Sequence, residues 1–194
     1  MCRSAQPVDR LIPGTAVTGG IADPGIVCGI DHIGITVPNI EAATRFFHDA
    51  FNAAVVYDTV AGGRPHRSAQ DLAATIALED DRRIIATRIV RLGNSANIEL
   101  FEVEGSDRSS QGIGTIGLHH FAVYCMDIAG TLRRVLAAGG TPLRGPNPLF
   151  GLEEGPGNAM QYVRAPWGTL IELIFIPSGT APGRDANRWH PRQE

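Results

Sequence analysis

The sequence is poor in cysteine, has no excess of positive charge and contains no long hydrophobic run. Its 194 residues include only 3 cysteines, an odd number without a C-x-x-C spacing. Small secreted folds that depend on disulfides need a denser cysteine framework, so we expect a reduced, cytoplasmic protein. The chain also lacks a stretch of about 18 apolar residues, the length that a membrane-spanning helix requires.

The charge balance argues against polyanionic partners. Lys and Arg number 17 against 20 Asp and Glu, which gives a net charge of −3. A protein without a cationic surface is poorly suited to nucleic acid, so we expect a small-molecule partner and neither nucleic acid nor membrane. Residues 1–27 are broken by proline and glycine and lack the apolar core of a signal peptide, so we expect them to form an arm.

An internal repeat divides the chain into two similar halves. The segment GIDHIGITV at 29–37 returns 88 residues later as GLHHFAVYC at 117–125. Each copy predicts a β-strand, and each is followed at the same offset by Asn or Asp, which are suited to cap a helix. The apolar spacing after each cap predicts helices over 40–51 and 128–138.

The ends of the two halves also match. NIELF at 97–101 is similar to LIELI at 170–174, and both predict strands. With the strands predicted between these points, each half becomes a βαβββ module, and the expected fold class is α+β with two tandem modules packed together. The predicted divisions are an arm at 1–27, module 1 at 28–104 with an insertion at about 61–82 that holds a short extra helix at 68–78, a linker at 105–116, module 2 at 117–177 and a tail at 178–194.

Strand parity singles out two histidines and two glutamates. Alternate side chains of a strand face opposite sides, so His32 and His120 face away from the helix of their module. Glu99 and Glu172 likewise alternate with aliphatic neighbours in the last strand of each module. A buried carboxylate is costly unless it is paired or bound to a metal. Two imidazoles and two carboxylates that converge would suit one divalent ion, such as Zn, Ni, Co, Mn or Fe.

Each of these four residues could also have a purely structural role. A single histidine in a strand is more often hydrogen-bonded than metal-bound, and a single glutamate is usually solvated. Their duplication at matching positions favours the metal. His119 has the opposite parity to His120, so we expect it to pack or hydrogen-bond beside the helix. Cys125 lacks a partner at motif spacing and is expected to be a buried thiol.

These segments resemble the vicinal oxygen chelate superfamily, which includes glyoxalase I, methylmalonyl-CoA epimerase, extradiol dioxygenases and the fosfomycin and bleomycin resistance proteins. The resemblance covers about 29–177 and is carried by GIDHIGITVPNIEAATRFF, NIELFE, GLHHFAVYCMDI and GTLIELI. It implies that the two modules curl into an open cup-shaped mixed sheet around a divalent metal. His32, Glu99, His120 and Glu172 match the four metal-binding positions of the glyoxalase-like branch.

The resemblance also narrows the chemistry. Extradiol dioxygenases leave free the position that Glu99 fills here, because catechol and dioxygen need open iron sites. This favours a glyoxalase- or epimerase-like enzyme, an isomerase or lyase, that moves a proton on carbon next to a carbonyl of a small metabolite, with Glu172 or Glu99 as the base. The alternatives are an Fe(II) ring-cleaving dioxygenase in which Glu99 is not a ligand and a non-catalytic binding or resistance protein.

Four further side chains are candidates for contact with a substrate. Tyr124, Phe101 and Ile174 share the inferred inner face of the cup, and Trp167 lies in a turn that would border its mouth. Plain core packing is an equally good account of these four residues. We expect a homodimer, and the sequence leaves open whether the cup closes within one chain or between two.

Overall fold

The computed structural model describes residues 29–60, 76–79, 81–106, 112–114 and 116–179. Its elements, in chain order, are β1 (His32–Val37), α1 (Ile40–Phe51), β2 (Ala54–Val60), β3 (Arg83–Arg91), β4 (Asn97–Glu104), β5 (His120–Tyr124), α2 (Ile128–Ala137), β6 (Thr141–Pro142), β7 (Asn147–Pro148), a 3-10 turn (Gly151–Glu153), β8 (Ala159–Arg164) and β9 (Leu170–Phe175).

The strands form two mixed sheets that repeat one topology. The first sheet has the order β1-β4-β3-β2, and the second has the order β5-β9-β8-β6, with β7 also paired to β8. In each sheet the first strand runs parallel to the last, and the remaining pairs are antiparallel. The predicted α+β fold class of two βαβββ modules is confirmed.

Both helices begin where the sequence predicts. The Asn39 side chain accepts a hydrogen bond from the backbone N–H of Ala42 at 2.8 Å, so it caps α1. The Glu102 carboxylate, from β4, accepts from the Ile40 N–H at 2.8 Å and satisfies a second free donor of the first turn. In module 2 the Asp127 side chain caps α2 by accepting from a backbone N–H at 3.0 Å.

One hydrophobic core runs through both modules. It includes the buried faces of both helices together with the aliphatic residues that alternate with the two glutamates. Trp167, in the turn after β8, crosses from module 2 to α1, where its ring lies edge-on to Phe46 with centroids 5.2 Å apart. The Arg134 guanidinium of α2 donates to the carbonyl of Asp49 at 2.8 Å, near the end of α1. The modules are therefore packed together through their helices.

The structure departs from the predicted strands in one place. The first of the three strands that a βαβββ module predicts after α2 is only two residues long, β6, and β7 forms a second short strand further on. Pro142, Pro146 and Pro148 fall in this segment and lack the N–H group that a continuous ladder needs.

Several predicted segments lie outside the described residues. These are the arm at 1–27, most of the extra helix at 68–78, residues 107–111 of the linker and the tail from 180 onward. Ile76, the first residue of the insertion that the structure describes, is helical. Neither α1 nor α2, the two α-helices whose bounds the structure gives, is long and apolar enough to cross a membrane.

Candidate functional site

The first predicted pair, His32 and Glu99, meets on one face of the first sheet. β1 and β4 are parallel neighbours, and their register places Gly34 beside Glu99, two residues along the same face from His32. The Nε2 atom of His32 lies 3.0 Å from Oε2 of Glu99. The carboxylate side chain is only 17% exposed, so most of its surface is withdrawn from water, and the imidazole nitrogen is a polar neighbour for it.

The second pair repeats this geometry in module 2. The register of β5 and β9 places Ala122, another small residue, beside Glu172. The Nε2 atom of His120 lies 3.3 Å from Oε2 of Glu172, and the carboxylate side chain is 15% exposed. In each module the histidine and the glutamate therefore lie on one face of the sheet, as strand alternation predicts, while their role as metal ligands stays a prediction.

Each histidine also has an outer partner at Nδ1, supplied by the residue immediately before it. Asp31 Oδ2 lies 2.8 Å from Nδ1 of His32. At the repeat-equivalent position, Nδ1 of His119 lies 2.6 Å from Nδ1 of His120, and the two rings stack with centroids 4.6 Å apart. An occupied Nδ1 leaves Nε2 of each histidine directed at its glutamate.

The placement of His119 corrects the prediction from parity. His119 does not pack beside the helix, because it precedes β5 and strand alternation does not govern its direction. Its ring instead turns toward the same face as His120.

Sequence reasoning missed Tyr162. The register of β8 and β9 places Tyr162 directly across from Glu172. Its ring lies edge-on to His120 with centroids 5.3 Å apart. Burial, followed by the charge of Glu172, raises the pKa of Tyr162, so the phenol keeps its proton. The repeat gave no signal for it, since the equivalent residue of module 1 is Ile89.

The spacing of each pair fits neighbouring ligands of one metal ion. Ligand atoms about 2.1 Å from an ion stand about 3.0 Å apart at a right angle and about 3.4 Å apart at the tetrahedral angle. The observed distances of 3.0 and 3.3 Å fall at these values. Imidazole nitrogen and carboxylate oxygen are donors that Zn, Mn, Fe, Co and Ni accept.

The four residues stand as two separate pairs in a single chain. Within the described residues, no group of three or more His, Cys, Asp or Glu side chains is placed to hold a metal ion. The sequence predicts that all four residues meet at one ion but leaves open whether they do so within one chain or between two; the described residues of one chain bring together only the two pairs. Convergence between two chains, which the sequence left open, stays a prediction.

A cleft of about 490 Å³ lies between the two modules. Gly34 and Thr36 of β1 line one side, and His120 with the turn residues Trp167 and Thr169 lines the other. Trp167 borders this cleft, while its ring also packs on the core and its Nε1–H donates to the Thr169 hydroxyl at 2.7 Å. Its contact with a substrate stays a prediction.

The other predicted substrate contacts lie on the face of the glutamates without lining this cleft. Tyr124 and Ile174 are register partners on β5 and β9, and Phe101 lies across from Thr36 on β4. Their contact with a substrate stays a prediction.

Cys125 takes no part in the site. Burial raises the pKa of its thiol to about 11, and its Sγ donates to the Ile174 carbonyl at 3.6 Å. A thiol that stays protonated near neutral pH is a poor nucleophile.

The repeated modules with one imidazole and one carboxylate each can be compared with known proteins. The family model described as the Glyoxalase/Bleomycin resistance protein/Dioxygenase superfamily matches residues 29–173. The chain belongs to this superfamily. The chain is 30% identical over 164 residues to the 2-epi-5-epi-valiolone epimerase of an Actinomyces species. The match covers 80% of this chain and 83% of the epimerase.

The fold of this chain is similar to those of several solved structures. A glyoxalase family protein from Bacillus cereus superposes with a TM-score of 0.59 at 15% identity, covering 77% of this chain and 95% of the other. The fosfomycin resistance protein FosX from Listeria monocytogenes gives a TM-score of 0.52 at 16% identity, covering 77% and 94%. At these identities the likeness concerns the fold alone.

Proposed function

We propose that this chain is a divalent-metal-dependent epimerase that moves a proton on the carbon next to a carbonyl of a small ketone. The observation that carries the proposal is the duplicated imidazole–carboxylate pair, with donor atoms 3.0 and 3.3 Å apart at equivalent positions of the two modules. The similarity to 2-epi-5-epi-valiolone epimerase supports the same class of reaction.

The four residues would share two tasks. His32, Glu99, His120 and Glu172 would hold the ion, which when bound supplies a Lewis acid for the substrate carbonyl. Epimerisation removes a proton from one face of a carbon and returns one to the opposite face. Glu99 and Glu172 come from different modules, so a carboxylate is available on either side of a carbon held between them. The low exposure of both carboxylates would keep bulk water from competing for the proton.

The assembly that we propose is a homodimer in which each metal is shared. The pair from module 1 of one copy would face the pair from module 2 of the other. This is supported by the separation of the two pairs within one chain and by the positions of β1 and β5, each at the edge of its sheet. An edge strand has backbone groups free on one side, so a second copy can close the cup there.

The test is proton exchange on the substrate of the similar enzyme. Purified protein is incubated in D₂O with 2-epi-5-epi-valiolone and one of Zn, Ni, Co, Mn or Fe(II), and ¹H NMR follows the signal of the proton next to the carbonyl. We expect that signal to disappear only when a metal is present. Glu172→Gln should abolish the exchange and weaken metal binding, because it removes a charged ligand.

The matched control is Glu154→Gln, the same chemical change on an exposed loop residue, which should leave exchange unchanged. A folded wild-type protein that exchanges no proton with any of the five metals would contradict the proposal. Oxygen uptake with a catechol under Fe(II) would instead favour a ring-cleaving dioxygenase. Ligand-induced thermal stabilisation without any metal requirement would favour a binding protein.

A further inference from the structure

The two carboxylates occupy equivalent positions but have different neighbours across the sheet. In module 2 the antiparallel neighbour of Glu172 is Tyr162, on β8. In module 1 the antiparallel neighbour of Glu99 is Ile89, on β3, whose side chain is 3% exposed and has no hydrogen-bonding group. The repeat therefore conserves the carboxylate and replaces its cross-strand partner.

Tyr162 lies against both members of its pair. It stands directly across from Glu172 on the neighbouring strand, and the charge of that carboxylate acts on its phenol. Its ring meets the His120 ring edge-on, with centroids 5.3 Å apart and planes at 78°. A hydrogen bond from the hydroxyl to Glu172 would fix the direction of the carboxylate, and the ring contact limits rotation of the imidazole. Ile89 can supply packing to Glu99 but no hydrogen bond.

We propose that Tyr162 is a positioning residue that holds Glu172 and His120 in the geometry of metal ligands and so makes the module 2 pair the more rigid half of the centre. This inference rests on the proposed function, since it concerns ligands of the proposed metal. Partners behind metal ligands commonly change metal affinity by about 10- to 100-fold when they are removed.

The experiment compares Tyr162→Phe with wild type, using Co²⁺ alone as the probe. Competition with a chromophoric chelator gives the affinity, and the visible spectrum of bound Co²⁺ reports the arrangement of its ligands. We expect Tyr162→Phe to bind Co²⁺ about tenfold more weakly, with a changed spectrum. The matched control is Tyr57→Phe, the same loss of a hydroxyl from an exposed residue of β2, which should change neither readout.

A double-mutant cycle separates positioning from a general loosening of the fold. Adding Tyr162→Phe to Glu172→Ala should cause little further loss of Co²⁺ affinity, because the partner of the hydroxyl is already gone. Adding it to Glu99→Ala should cause the full loss. Equal losses in both backgrounds would contradict the inference, as would equal affinity and spectrum for wild type and Tyr162→Phe.

The outcomes also distinguish this inference from the proposed function. Wild-type protein that binds no Co²⁺ would overturn the metal centre, and with it the role of Tyr162. Wild-type protein that binds Co²⁺, together with an unaffected Tyr162→Phe variant, would overturn the role of Tyr162 alone. Thermal unfolding of each metal-free variant checks that the fold is intact.

Discussion

Asp31 and His119 show how neighbouring residues prepare each histidine. Both precede a site histidine by one position, and both contact its Nδ1 atom, at 2.8 and 2.6 Å. An acceptor at Nδ1, such as the Asp31 carboxylate, favours the tautomer whose Nε2 carries a free lone pair, and it is this form of imidazole that binds a metal. The His119 ring nitrogen can either donate to Nδ1 of His120 or accept from it. The two modules thus reach the same orientation of His32 and His120 with chemically different partners.

We predict that Asp31→Ala lowers the affinity for Co²⁺ or Zn²⁺ by about tenfold, because the imidazole of His32 loses the group that orients it. Isothermal titration calorimetry measures the change. The chain offers a close control in Asp49, whose carboxylate lies 2.8 Å from Nδ1 of the adjacent His48 on the exposed side of α1. Asp49→Ala should bind the metal like wild type, and an equal effect of both substitutions would argue against orientation by Asp31.

The start of α1 connects helix capping to the strand that carries Glu99. Asn39 caps the helix with its side chain, and Glu102, three residues after Glu99 on β4, accepts from the Ile40 N–H. Two of the free N–H groups of the first turn are therefore satisfied, one locally and one from the sheet. The hydrogen bond from Ile40 to Glu102 therefore connects the start of α1 to β4.

For this element we predict that Asn39→Ala lowers the free energy of unfolding by about 1 kcal/mol, since the Ala42 N–H loses its acceptor. Urea denaturation followed by circular dichroism measures the loss. Asn39→Asp keeps an acceptor and places a negative charge at the helix N-terminus, so it should stay within a few tenths of a kcal/mol of wild type. A similar loss in both variants would show that the cap is not the cause.

Elements with local signals could be predicted, and those set by pairing could not. The caps and apolar spacing located α1, and strand alternation placed His32 and Glu99 on one face. Tyr162 was missed because its position depends on how β8 aligns with β9, which no local pattern encodes. The strand predicted after α2 is shortened to β6, and β7 was not predicted, because prolines interrupt hydrogen bonding between strands without abolishing the extended backbone.

One hydrophobic core joins the two modules, while their two candidate ligand pairs lie apart. The helices and Trp167 pack the modules together, yet the described residues of one chain form no metal cluster of three or more. Half of each proposed centre would then come from a second copy. Such sharing has a consequence that can be measured with inactive variants.

We predict that mixing inactive His32→Ala and Glu172→Ala proteins restores activity. After the dimers are unfolded and refolded together, mixed dimers contain one intact centre, built from the unaltered module of each copy, and random pairing gives about one quarter of wild-type activity. Deuterium exchange measures the recovery.

The control mixture combines His32→Ala with Glu99→Ala. Both changes affect module 1, so every mixed centre contains a defect and no activity should return. If the first mixture also stays inactive, although mixed dimers form, each centre lies within one chain and the shared arrangement is wrong.

Tyr162 and Ile89 occupy equivalent positions of the two modules, and this difference bears on how such a protein can diversify. Because the βαβββ module occurs twice, a substitution across from one glutamate leaves the strands around the equivalent glutamate unchanged. One module can keep its histidine–glutamate pair unchanged while selection alters the surroundings of the other pair. Duplication therefore lets specificity change in one module while the other keeps its original geometry.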